Sequence, residues 1–144
     1  MRGLLGDLIS EGHQFTIADM EAGLEHLSRA DGTLRHIDML CVVIEPYRKA
    51  LETARRTLGF ATDLGIPKIY GIASKVRDEA EAAEVEKFAV ELGMTMLGTV
   101  PYDDAVRLAD REGVAVIDLA PDCPAVKAIG GLLDTMEQMM EVKV

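Results

Sequence analysis

The chain has 144 residues, 49% of them apolar, which suits one ordinary domain with a core of its own. Its 25 acidic residues outweigh 15 basic ones for a formal charge of −10, and 4% of its residues are aromatic; that field repels phosphate backbones and offers few rings for base stacking, so nucleic-acid binding is not expected. No run is long and uncharged enough to span a membrane, and the first residues lack the basic-then-apolar pattern of a secretion signal, so a cytoplasmic protein is expected.

Taken in order, the first predicted strand covers residues 14–19, with Phe15 and Ile17 as its apolar positions and Asp19 closing it. A glycine, Gly23, follows that aspartate four positions later. The second predicted strand, 37–45, contains a continuous apolar run at 39–44, the pattern of a parallel strand covered on both faces. Tyr47, Ala50, Leu51, Ala54, Leu58 and Ala61 then keep helical spacing until Gly65 and Pro67 stop the element. A third strand is predicted at 68–74. Beyond it Asp78 and Glu81 have the spacing of a capping box before the stripe Val85, Phe88, Ala89 and Leu92, closed by Gly93.

The fourth strand is predicted at 95–100, a short helix at 103–112 ends at Gly113, and residues 114–117 form a short extra strand. The last helix, 122–141, begins at Asp122 and Pro124 and carries Val126, Ile129, Leu133, Met136 and Met140. Alternating strands and helices from end to end predict one domain over 1–144: a doubly wound α/β layer, its sheet mainly parallel, with helices on both faces.

In such sheets ligands collect at the carboxyl ends of the strands. Four strand ends carry suggestive groups: Asp19, Glu45-Pro46, Ser74-Lys75 and Pro101-Tyr102-Asp103. These positions fit one shared rim; the alternative at each is a polar residue that marks where a strand meets solvent. Cys41 and Cys123 have no disulfide or metal-site spacing, and Cys41 reads as a small core residue. Arg48, Lys49, Arg55 and Arg56 surround Glu52 on one helix, which reads first as a solvated, self-paired face and second as a docking surface for an acidic partner. Asp134, Glu137 and Glu141 against Lys143 alone are the wrong charges for a membrane-surface helix, so Met136, Met139 and Met140 read as core or partner-helix contacts. Gly-x-Ser-x-Gly is absent, and Cys123 has no evident base beside it.

The segment Asp19-Met20-Glu21-Ala22-Gly23-Leu24-Glu25-His26-Leu27-Ser28-Arg29 resembles the switch region of carbon monoxide dehydrogenase maturation ATPases of the CooC type, within the MinD/ParA-like class of P-loop ATPases. The resemblance continues through Val43-Ile44-Glu45-Pro46, Ser74-Lys75-Val76-Arg77 and Gly98-Thr99-Val100-Pro101-Tyr102-Asp103-Asp104. It covers essentially the whole chain but corresponds only to the C-terminal half or so of a full member.

It implies that Asp19 holds the water shell of Mg²⁺ and that Gly23 offers its backbone N–H to a γ-phosphate, where a side chain would block approach. It sets Lys75 at the lysine of an Asn-Lys base-recognition element whose asparagine is here Ser74, and it sets Arg77 where a guanine-reading aspartate would fall. A serine hydroxyl reaches less far than an amide toward an adenine edge. Pro101, Tyr102 and Asp103 would line the base pocket. ATP or ADP with Mg²⁺ is the implied cofactor.

The Walker A sequence that grips polyphosphate does not occur in the chain, so autonomous hydrolysis is not expected. The class also implies a P-loop strand between the strand ending at Asp19 and the one ending at Glu45. A gap there leaves backbone groups in need of partners: the two strands close up directly, another chain inserts a strand, or the fragment folds poorly alone, and a homo-oligomer or a partner chain that bears a P-loop is expected over a lone monomer. A metalloenzyme client is implied as well. Nickel is not expected to be held by this chain alone, because the adjacent Glu25 and His26 point apart on a helix and the family's upstream Cys-x-Cys pair is absent. Met1 opens onto what resembles the helix before the switch strand, so a truncated member of the family is one expectation. A noncatalytic dimerisation or client-docking module is the alternative reading.

Overall fold

The structure is a computed structural model, and it describes residues 17–20 and 37–141. Its centre is a parallel sheet of three strands in the order β1-β2-β3: β1 at Leu40–Ile44, β2 at Ile69–Val76 and β3 at Thr95–Pro101. Leu40 pairs with Ile69 and Ile44 with Ala73 across the first ladder; Tyr70 pairs with Thr95 and Val76 with Pro101 across the second. Helix α1 (Arg48–Asp63) joins β1 to β2 and α2 (Glu79–Glu91) joins β2 to β3. After β3 come α3 (Asp104–Glu112), the single turn α4 (Val116–Leu119) and α5 (Pro124–Glu141).

Side-chain alternation sorts the sheet into two faces. Leu40, Val42, Ile44, Ile69 and Ala73 share one face and pack with Leu51, Ala54 and Leu58 of α1 and with Ala82, Val85, Phe88 and Ala89 of α2. Ile44 and Val85 are fully enclosed there. A register shift between Gly71 and Ile72 then turns Gly98 of β3 to the other face, where Leu132 of α5 lies 3.0 Å from the position a Cβ on Gly98 would take. Helices thus cover both faces of the layer, as the alternating pattern predicts.

The element ends follow their local chemistry. Asp78 caps α2 by accepting from the Glu81 backbone N–H at 2.9 Å, and Glu81 answers by accepting from the Arg77 N–H at 2.7 Å, one residue earlier than in a standard capping box. Gly113 ends α3 with φ +68°, a left-handed conformation that glycine adopts without a Cβ penalty.

Four expectations need correction. Residues 17–20 have no regular structure, so the strand predicted at 14–19 is not formed over 17–19; the rest of it, and residues 21–36, lie outside the described residues. The strand predicted at 114–117 is not formed: Val114 and Ala115 lead into the helical turn α4, which takes up Val116 and Ile117, packs on α3 and closes its hydrogen bonds locally, as in Leu119 N–H to Ala115 O at 3.1 Å. A four-residue apolar run does not fix its own period, and the neighbour it meets is a helix, not a sheet edge. Tyr47 is the N-cap of α1 and is exposed, so it stands outside the buried stripe. On α5 the buried positions are Ala125 and Leu132, while Ile129 and Leu133 from the predicted stripe are exposed. Because Ala125 begins the contact, the inward face lies about one residue off the one the larger side chains suggest.

Strand β1 is also covered less evenly than its apolar run implies. Val42 is buried, but Val43, facing away from α1, is 63% exposed. Cys41 shares that outer face and is half-buried, with burial pushing its thiol pKa up. On α1, Arg56 pairs with Glu52 at 3.3 Å and Arg55 lies over the Phe88 ring at 5.4 Å, which fits the self-paired reading of that basic surface.

Candidate functional site

The carboxyl ends of the three strands meet in one polar rim. Strand β1 ends at Ile44, so Glu45 and the buried Pro46 lead directly into Tyr47, the first turn of α1 following at once. Strand β2 carries a bulge: Ser74 pairs with Val100 and Val76 with Pro101, which leaves Lys75 unpaired. Lys75 has φ +57° and is the non-glycine residue with positive φ among the described residues. A left-handed bulge residue is usually glycine, and a lysine there marks strain held by its surroundings. The turn aims its ammonium back along the rim, where Nζ lies 2.5 Å from Glu45 Oε1. That hydrogen bond, and then the carboxylate charge, raises the Lys75 pKa above the ordinary lysine value.

Arg77 follows the end of β2 and reaches both neighbouring strand ends. Its Nη1 donates to the Tyr47 hydroxyl at 3.3 Å, and its guanidinium sits over the Tyr102 ring, 4.6 Å from the centroid. Tyr102 is fixed in turn: its backbone N–H donates to Val76 O at 2.8 Å, and its hydroxyl donates to Asp104 at 3.2 Å and accepts from Arg107 at 3.3 Å. The bond to Tyr47 raises the Arg77 pKa, so the guanidinium stays charged throughout any working range.

Asp103 has a different task. One carboxylate oxygen accepts from the Ala105 N–H at 2.9 Å and caps α3; the other accepts from the Ala125 N–H at 3.1 Å at the start of α5. These two backbone donors, Ala105 first, hold its carboxyl below the ordinary carboxylate value, with a smaller contribution from Cys123. Both oxygens are therefore engaged in joining two helix starts.

The structure thus brings together Glu45, Ser74, Lys75, Pro101, Tyr102 and Asp103, and adds Tyr47, Arg77 and Arg107. Arg77 was legible only as the place where an aspartate is missing, and Tyr47 only as part of a helical stripe. The signal that picks them out is position, since each stands within three residues of the end of a parallel strand. Gly23, with Glu21, Glu25 and His26, lies outside the described residues.

Asp19 does not join the rim. It is exposed, and its neighbour Met20 packs on Ala61 and Ile66 beside Ile37, Leu40 and Ile69, which are at the amino ends of β1 and β2. A five-residue strand separates that end from the rim by on the order of 15 Å. Mg²⁺ takes six oxygens in near-octahedral array, and among the described residues no group of three or more His, Cys, Asp or Glu side chains is placed to hold a metal.

No protein-family model matches the chain. It is 37% identical over 123 residues to the carbon monoxide dehydrogenase accessory protein CooC of Rhodospirillum rubrum, a match covering 85% of this chain and 45% of that protein. It is 42% identical over 106 residues to an uncharacterized ATP-binding protein of Methanocaldococcus jannaschii, covering 74% and 40%. Among solved structures, the septum site-determining protein MinD of Pyrococcus horikoshii, complexed with Mg-ADP, superposes with a TM-score of 0.76 at 16% identity over 99% of this chain and 58% of that one. The chain therefore spans less than half the length of the curated relatives it matches.

The parallel order and the helix placement are those of the MinD/ParA-like P-loop ATPase fold. Within that class the sequence belongs to the CooC type, matching part of the length of its members.

Proposed function

We propose that this chain forms the base side of a nucleotide site for ATP or ADP and does not hydrolyse ATP by itself. The observation that carries this reading is the left-handed Lys75 bulge, held by Glu45 at the carboxyl end of β2 between Ser74 and the fixed Tyr102 ring. Strain kept at a ligand-binding edge is the pattern of a pre-organised site. Lys75 and Ser74 supply polar groups toward a base or ribose, Tyr102 supplies a ring, and Asp103 holds the β3–α3 turn in place. Phosphate grip and magnesium would come from a chain bearing a P-loop, whether a partner or a second segment, and Gly23 and Asp19 would act only in that assembly. By its kinship the complete unit belongs in the cytoplasm and serves nickel insertion into a carbon monoxide dehydrogenase client, with nickel as cargo.

Calorimetry with ATP and ADP in the presence of Mg²⁺, on protein of verified solution mass, tests the reading. Binding tighter than about 100 μM, or roughly 5.5 kcal/mol, supports a working rim, and Tyr102→Ala should then weaken it. Folded protein that binds neither nucleotide would retire the roles of Ser74, Lys75 and Tyr102.

One observation favours the second reading, a noncatalytic interaction module. Val106, Leu108, Val114, Ile117 and Leu119 are all exposed along α3, α4 and the turn between them. In this reading the apolar side chains of that segment supply the surface a partner protein would cover.

A further inference from the structure

We infer that Arg77 is a specificity-setting residue of the proposed base site: its guanidinium occupies the face of Tyr102 on which a nucleobase would stack, and it competes with the base for that ring. The inference rests on the nucleotide reading of the rim. Three facts lead to it. Tyr102 is the aromatic ring at the end of β3, anchored at its backbone by the N–H to Val76 and at its tip by the hydroxyl bonds to Asp104 and Arg107, so its place on the rim is set. Arg77 lies over that ring at 4.6 Å, within cation–π range. Arg77 is also held from two other sides, by Tyr47 Oη at 3.3 Å and by Glu81 Oε1 at 4.0 Å, so it remains over the ring when no ligand is bound.

The chemistry of the competition follows. An aromatic face attracts a base by stacking and a guanidinium by its quadrupole, and one face accommodates one of them. A base must therefore shift a cation tethered to the β1–α1 turn and to α2, and only ligands that offer Arg77 a new anionic or acceptor partner recover what that displacement costs. A nucleotide carries phosphates and ring acceptors; a bare nucleoside carries only the acceptors. Arg77 thus biases the ring toward charged nucleotides over neutral nucleosides.

Titration of the full chain with adenosine and with ADP, followed by the aromatic proton signals of Tyr102, tests this directly. Arg77→Ala should tighten adenosine binding about two- to fivefold, the factor expected from losing an exposed cation–π contact, and should narrow the preference for ADP. Arg77→Lys, which keeps charge but loses the planar donor fork, should fall between. Equal or weaker adenosine binding by Arg77→Ala, in protein that still binds ADP through Tyr102, overturns the competition while leaving the nucleotide reading intact. If neither the natural chain nor Arg77→Ala shifts Tyr102 with either ligand, the nucleotide reading fails and this inference falls with it.

Discussion

Lys75 adopts a left-handed backbone that costs an L residue about 1–2 kcal/mol, and its half-exposed pair with Glu45 returns no more than about 1 kcal/mol. Lys75→Gly should therefore leave urea stability within about 1 kcal/mol of the natural chain while reducing nucleotide affinity; a large loss of stability would mean that the lysine serves the fold. Asp103 carries a pH signature of its own. Its folded pKa lies below the ordinary value of 3.8, so its stabilisation is complete above that value and disappears as pH falls through the depressed one. Asp103→Asn should consequently melt below the natural chain at pH 7, with the difference shrinking as the pH falls toward 2, as followed by circular dichroism. Lys75 works in the opposite sense: its raised pKa gives a contribution present below 10.5 and lost only as pH climbs through the higher folded value.

The elements between residues 40 and 112 were legible because each carries its own punctuation. Gly65 and Gly93 stop α1 and α2 with positive φ, and Asp78 begins α2 with a side-chain cap. Asp78→Ala should cost about 1 kcal/mol by removing that cap, read as a melting temperature lower by about 3–5 °C. Illegible elements were those whose form depends on what lies beside them. Val114 to Ile117 is apolar enough for a strand, but α3 is its neighbour, and its second half coils into α4. The inward face of α5 is set by the small residues Ala125 and Gly98, which admit Leu132, and helical periodicity weighted by large side chains points elsewhere. The same division holds for the site. Ser74, Lys75 and Tyr102 stand at predictable strand ends, whereas the bond from Arg77 to Tyr47 joins residues 30 apart and exists only once β1 and β2 are in register.

At the scale of the molecule, one face of the sheet is thickly covered and the outer face of β1 is not. Two adjacent positions measure this. Ile44 is fully enclosed, so Ile44→Val should cost about 0.5–1.5 kcal/mol and Ile44→Ala about 2–5 kcal/mol. Val43→Thr, one residue away and 63% exposed, should change stability by no more than about 0.5 kcal/mol. Denaturation midpoints taken at several protein concentrations check both. A core-sized penalty at Val43 that grows with concentration would show that a second copy covers this face in solution. How the outer face is completed depends on chains and segments beyond the pairings that β1, β2 and β3 make with one another.

Asp103 grips Ala105 with one oxygen and Ala125 with the other, so the path through α3 and α4 leaves the sheet and returns to it at a single carboxylate. The excursion stays tied to the rim at one more place, because Asp104 and Arg107 of α3 hold the Tyr102 hydroxyl and Ala109 is buried. What is free to vary is its outer surface: exchanging the exposed Leu108, Ile117 or Leu119 touches neither the carboxylate clasp nor the bonds to Tyr102.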